Sequence, residues 1–188
     1  MLADLYDFDK TIFDGESGTA FWLFCLKRHP KIIKYLPRQL KGLFGHYVFH
    51  KITKERSKEL FYSYLPGINA KKESELFWEK NSFKIFDWFP LQKDIPIVVC
   101  SASPLFQIKP ICDRLGVDTV IATKMDPETG KIIGNNCKGE EKVRRIKEEL
   151  PEYDFRNAFS DNIASDAPML SLASGKKYQI KHGSTITL

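Results

Sequence analysis

Short apolar runs that stop at polar residues alternate along this chain with stretches of helical periodicity, and that alternation constrains the fold more than any other feature. The run Leu2–Tyr6 stops at Asp7, and the β-branched run at 95–100 stops at Ser101. Both predict buried parallel strands. Behind Pro104, the residues Leu105, Ile108, Ile111, Cys112 and Leu115 recur at helical spacing, and Gly116 closes the element. Thr119–Thr123 predicts a third strand, and residues 126–134 a hairpin excursion rich in turn formers. A charged amphipathic helix at 140–150, a strand at 157–160, a short helix at 167–173 and a last strand at 176–181 follow. The expected fold class is α/β, a Rossmann-like doubly wound parallel sheet with right-handed crossovers.

Residues 17–88 break this rhythm. Their apolar positions fall at three-to-four spacing (Phe21, Leu23, Phe24; Leu40, Leu43, Phe44, Tyr47; Leu76, Phe77), punctuated by Pro30, Pro37 and Pro66. The pattern predicts a helical insertion at 17–88 between the first and second strands of a core made from 1–16 and 89–188. Charge divides along the same line. The chain carries a net +5, yet between Lys27 and Lys58 ten Lys or Arg face the single acid Glu55, which leaves the remainder net acidic. Two parts with different partners are expected.

The insertion interleaves apolar residues from Phe21 to Leu36 with Lys27, Arg28, Lys31, Lys34 and Arg38. That arrangement suits peripheral contact with an anionic membrane; the alternative is that the aromatics form core and the lysines its solvated face. No recognition motif for nucleic acid accompanies the basic residues, so no nucleic-acid partner is expected. The longest unbroken apolar run, at 20–26, is far short of the roughly 20 residues a membrane span needs. The opening residues lack the charged-then-apolar pattern of a secretory leader. Four widely spaced cysteines without a CxxC pair predict neither zinc nor disulfides. A reducing, cytoplasmic setting is expected, with membrane-peripheral placement as its variant.

In open α/β sheets, ligands bind beyond the carboxyl ends of the strands. This sequence places Asp7, Asp9 and Thr11 beyond the first strand, Ser101 beyond the second, and Asp161 and Asp166 beyond the fourth. Carboxylates converging on one rim repel unless a cation lies among them, and hard oxygen ligands favour Mg²⁺. A lysine at the same rim, Lys138 or Lys142, would complete a site suited to a transferring phosphoryl group.

Asp7-Phe8-Asp9-Lys10-Thr11 fits the DxDxT signature, and Ser101, a lysine within residues 137–142, Asp161 and Asp166 follow in order. On these motifs the chain resembles the haloacid dehalogenase-like (HAD) phosphohydrolases across essentially its whole length, and within them the phosphoserine phosphatase-like and phosphatidylglycerophosphate phosphatase-like branches. The resemblance implies a type-I helical cap at the insertion. It implies Asp7 as the nucleophile that forms an aspartyl-phosphate, and Asp9 as general acid and base. Asp161, with Asp7 and the backbone carbonyl of Asp9, would hold Mg²⁺, and Asp166 would support the metal or the lysine. Ser101 with the N–H groups of Ala102 and Ser103 would bind phosphate oxygens, and Thr11 would orient the first loop. The lysine is Lys138 if it directly precedes Gly139, and Lys142 if the pattern is C-x-G-x-x-K.

Two features depart from the family pattern or only echo another. Ser160 replaces the usual Gly before the metal-binding Asp. Asp9-Lys10-Thr11 also matches the Asp-Lys-Thr of ion-pumping ATPases, but Ile12 stands where Gly belongs, and the match is set aside as chance. Glu16, nine residues after Asp7, matches an acidic contact to the amino group of L-phosphoserine, whereas Ser101-Ala102-Ser103 replaces that branch's Ser-Gly-Gly. The implied activity is Mg²⁺-dependent hydrolysis of a small organic or lipid-headgroup phosphomonoester. L-phosphoserine is the alternative substrate, and a non-catalytic phosphate-binding module the alternative function.

Overall fold

The computed structural model describes residues 1–89 and 94–188; positions 90–93, part of the expected core segment, lie outside the described residues. Six strands form one sheet in the order β3-β2-β1-β4-β5-β6. They are β1 (Leu2–Tyr6), β2 (Ile97–Pro104), β3 (Thr119–Thr123), β4 (Asp154–Ser160), β5 (Lys177–Lys181) and β6 (Ser184–Thr187). The first five pair in parallel, while β5 and β6 form an antiparallel hairpin at one edge. The sequence reading missed β6 because its short run is exposed throughout and carries no buried face to set a period.

Among the described residues four α-helices lie between β1 and β2: α1 (Ser17–Arg28), α2 (Leu36–Tyr47), α3 (Lys54–Phe61) and α4 (Ala70–Asn81). Thr53 and Asn69 cap α3 and α4, each accepting a backbone N–H from three residues on. The later helices are α5 (Leu105–Arg114), α6 (Glu140–Glu149) and α7 (Ile163–Leu170). The expected helix at 167–173 begins earlier because Asn162, accepting from Ser165 N at 3.0 Å, is its cap. Asp166 therefore sits inside the helix rather than before it.

Apolar residues on the two faces of the sheet build two clusters. Leu5, Val98, Ile121, Ile146 and Met169 pack on one side. Tyr6, Val99 and Ile108 continue on the other into the aromatics Phe13, Phe21, Phe77 and Trp78 of the helical segment. Phe21, Cys25 and Ile32 of the run expected to seek a membrane are buried there, Trp22, Phe24, Leu26 and Tyr35 pack partly buried against them, and Leu23 and Ile33 stay exposed. All four cysteines are free. Among the described residues no helix is long and apolar enough to cross a membrane. The consequence for function is topological: β2 lies on one side of β1 and β4 on the other. Their carboxyl ends thus open a crevice around Asp7.

Candidate active site

Asp7 is the first residue past β1, and a tight loop follows it. The Phe8 carbonyl accepts from the N–H groups of Thr11, Ile12 and Phe13, and Lys10 adopts a left-handed φ of 57°. This turn takes the chain out of the pleat and separates the environments of two carboxylates only two residues apart. The Asp7 Oδ1 faces Lys142 Nζ at 2.6 Å. The Asp9 carboxylate accepts from Ser103 Oγ at 2.6 Å on one oxygen and from Ser17 N at 2.8 Å on the other. Burial pushes the Asp7 carboxyl up to about 7 against the opposing pull of Lys142. Burial also raises Asp9, with the bonds from Ser103 and Ser17 drawing it back.

Of the two lysines, the fold brings Lys142 to Asp7. Lys142 lies in the first turn of α6, buried, with its ammonium between Asp7 and Asp166 Oδ1, the latter at 3.0 Å. Burial alone would lower its pKa; the two facing carboxylates outweigh that and hold it above the ordinary lysine value. Lys138 is exposed, precedes the helix, and lines the cavity mouths instead. Gly139 makes the entry to α6 possible: its φ of 58° with ψ of −126° is a conformation side chains rarely adopt.

Thr11 ties the loop to β4, accepting the Asp161 N–H at 2.8 Å and reaching 3.5 Å to Asp7 Oδ2. Asp166 is fully engaged, by Lys142 on one oxygen and by Ser160 Oγ at 2.7 Å on the other. The serine that departs from the usual Gly thus has a partner, and that partner was not legible in the sequence. Ser103 also differs from expectation. Its N–H donates to Ser101 Oγ at 3.1 Å and its hydroxyl to the Asp9 carboxylate at 2.6 Å, so both groups already have partners within the protein. Ser101 and Ala102 line a cavity of about 130 Å³ with Asp7, Lys142 and Asp161. Glu16 lines it too, but its carboxylate pairs with Lys10 at 2.5 Å.

Of the residues expected at a metal site, Asp166 takes the lysine-supporting one of its two expected roles, and the Asp9 carboxylate faces away from Asp7 and Asp161. Among the described residues no group of three Asp, Glu, His or Cys side chains lies in metal-holding geometry. The reason is that Asp9 is turned to the serines and Asp166 to Lys142. Two carboxylates remain for a cation, Asp7 and Asp161. That of Asp161 is half-buried and makes no hydrogen bond or ion pair among the described residues. Burial raises its pKa, with Lys10 opposing. Mg²⁺ keeps several waters and uses one or two carboxylates, so this hard-oxygen donor set fits it.

A second cavity, of about 370 Å³, adjoins the first at Asp9 and Ala102. Leu43, Tyr47 and Phe61 give it an apolar wall, and Lys54, Lys58 and Lys138 give it positive charge. Lys58 of α3 crosses to the sheet, donating to the Ala102 carbonyl, to Asn136 Oδ1 at 2.7 Å and to Thr123 Oγ1 at 3.2 Å. Loss of hydration lowers its pKa to about 7. From sequence Lys58 stands out only, with Arg56, as a candidate contact to a substrate carboxylate; neither this tie to the sheet nor Asn136 is legible there. Ser17 was likewise missed, although a small polar residue opening a helix was its available signal.

Comparison with known proteins follows the same line. The sequence profile described as haloacid dehalogenase-like hydrolase matches residues 5–171. Protein CicA of Caulobacter vibrioides is 34% identical over 97 residues, covering 48% of this chain and 43% of that protein. The chain thus matches less than half the length of that curated relative. A crystal structure of a protein of unknown function from Bordetella pertussis superimposes with a TM-score of 0.71 at 22% identity, covering 90% of this chain and 86% of that one. A phosphoserine phosphohydrolase-like protein from Francisella tularensis gives a TM-score of 0.61 at 16% identity, covering 94% and 86%. At these identities the likeness is one of fold.

Proposed function

The chain belongs to the haloacid dehalogenase-like hydrolase family, and from that premise we propose that it is a Mg²⁺-dependent phosphomonoesterase working through an aspartyl-phosphate on Asp7. One observation carries the reading. Asp7 and Asp9 are neighbours in sequence, yet one faces a buried lysine and the other two serine donors. Two carboxylates whose environments differ can divide the roles of nucleophile and acid–base catalyst.

On this reading the phosphoryl group enters the smaller cavity, against Lys142 and the backbone at Ser101 and Ala102. An Asp7 carboxylate oxygen attacks phosphorus as the bond to the leaving oxygen breaks, and Asp9 gives that oxygen its proton. Asp9 then takes a proton from the water that hydrolyses the acyl phosphate, which restores both groups. The raised pKa of Asp9 favours its holding the first proton. Lys142 keeps Asp7 ionised and offsets phosphoryl charge, while Asp166 and Ser160 hold the ammonium in place. Mg²⁺, when bound, would neutralise negative charge at the phosphoryl oxygens; Asp7, Asp161 and the Asp9 carbonyl would hold it.

The helices between β1 and β2 act in this proposal as a cap, with Lys58 joining them to the core. The leaving group would occupy the larger cavity, whose mixed apolar and cationic lining suits a small organic or lipid-headgroup phosphate. For L-phosphoserine the lining offers no arginine, and Glu16 is already paired with Lys10. The direct test is Asp7→Asn. Hydrolysis of a phosphomonoester panel should fall by about three orders of magnitude or more. Unchanged Mg²⁺-dependent turnover would remove the nucleophile assignment, and tight binding of phosphate esters by wild type without turnover would favour a binding module.

A further inference from the structure

Helix α2 is packed the opposite way from an ordinary surface helix. Its buried positions are Gln39 and Gly42. Gln39 Nε2 donates to the Phe61 carbonyl at 2.8 Å, Ser57 Oγ donates to the Gly42 carbonyl at 3.0 Å, and His46 Nδ1 lies 3.0 Å from the Ile52 carbonyl. A Cβ at Gly42 would stand 2.9 Å from Leu60 Cβ, so the close approach of α2 to α3 depends on the missing side chain. Small and polar residues therefore make the packing face.

The apolar stripe of the same helix points outward. Leu40, Leu43, Phe44 and Tyr47 fall at i, i+3, i+4 and i+7, and Val48 and Phe49 extend the stripe; all six are between 41% and 62% exposed. A helix that buries its polar side and exposes its apolar one lacks a partner for that face. The charge around the stripe narrows what that partner is. Lys41 flanks it on the helix, Lys31 and Lys34 come from the turn that enters it, and Lys51 from the segment that leaves it. All four are exposed and form no ion pair among the described residues.

We propose that the exposed face of α2 docks this protein on an anionic lipid bilayer, with Phe44 and Phe49 entering the headgroup layer and the lysines facing acidic phosphates. Charge complementarity selects this occupant: an acidic surface satisfies the lysines while its acyl boundary takes the apolar stripe. A second copy of the chain would bring the same cations face to face. Because Leu43 and Tyr47 of the stripe also line the larger cavity, docking places the mouth of that cavity at the bilayer surface. The docking is measured without turnover, so it stands or falls separately from the phosphatase reading.

The experiment is co-sedimentation of the full chain with vesicles of phosphatidylcholine alone or mixed with phosphatidylglycerol. Wild type should pellet with the mixed vesicles only, and salt should release it. Phe44→Ser with Phe49→Ser, and separately Lys41→Glu with Lys51→Glu, should each weaken binding by about tenfold or more. Neither pair lines either of the two cavities described, and the melting temperature and circular dichroism of each variant should match wild type, which reports an intact fold. Equal partition to both vesicle types, no binding, or binding unchanged in the aromatic variant would overturn the proposal. So would sedimentation equilibrium showing a dimer that Phe44→Ser with Phe49→Ser dissociates.

Discussion

Lys142 Nζ stands 2.6 Å from Asp7 Oδ1 across a sequence separation of 135 residues, with both side chains nearly excluded from water. The contact joins the end of the first strand to the first turn of α6. It is what makes the crevice beyond β1 a candidate site for a doubly charged phosphoryl group.

Removing the lysine leaves two carboxylates facing each other in a buried space. Lys142→Met should destabilise the fold by roughly 3–5 kcal/mol, the usual cost of stranding a buried charge. A melt should show Tm lower by roughly 10 °C. A variant as stable as wild type would mean that water or cations already compensate the pair.

Asp9 should matter in proportion to how much its proton is needed. Asp9→Asn is expected to lower kcat/KM by about 10²–10⁴-fold for an alkyl phosphate. The loss should be much smaller for p-nitrophenyl phosphate, whose leaving group departs without protonation. Equal losses on the two substrates would show that Asp9 acts otherwise than as general acid.

Stability without divalent cation should fall as pH rises through the carboxylate range. Asp7, Asp9 and Asp161 are all raised in the folded protein, Asp7 to about 7. Between the ordinary carboxylate value and that figure the folded state holds more protons than the unfolded, so a rise in pH favours unfolding. Urea midpoints between about pH 4 and 7 should decline in EDTA. Mg²⁺ should flatten the decline, as should Asp7→Asn in EDTA. A midpoint that rises over this window would contradict the burial of these groups.

Lys58 is expected to act on binding rather than on chemistry. It touches the backbone at Ala102 and not Asp7, so Lys58→Met should raise KM by about tenfold, the worth of hydrogen bonds to a charged group, while kcat changes less. Steady-state kinetics on one phosphomonoester separates the two parameters. A loss confined to kcat would place Lys58 in the chemical step.

Much of the core was legible locally. Strand β1, strand β3 and helix α6 lie where apolar runs and helical spacing put them, because a buried strand or an amphipathic helix writes its period into its own residues. Exposed β6 and the true start of α7 were not, since one has no buried face and the other is set by the Asn162 cap.

By itself, then, the sequence determined the alternating α/β order and the placement of Asp7, Asp9, Thr11 and Asp161 beyond the strand ends, since both follow from local pattern; Ser101, expected past the second strand, lies within β2, which runs on to Pro104. Only the tertiary structure decided that Lys142 and not Lys138 meets Asp7, that Ser103 and Ser17 hold Asp9, and that Ser160 secures Asp166. It likewise decided which face of α2 is free. These are contacts between segments far apart in the chain, set by how closely α2 approaches α3 at Gly42 and by the turn into α6 at Gly139, and residue spacing carries no record of them.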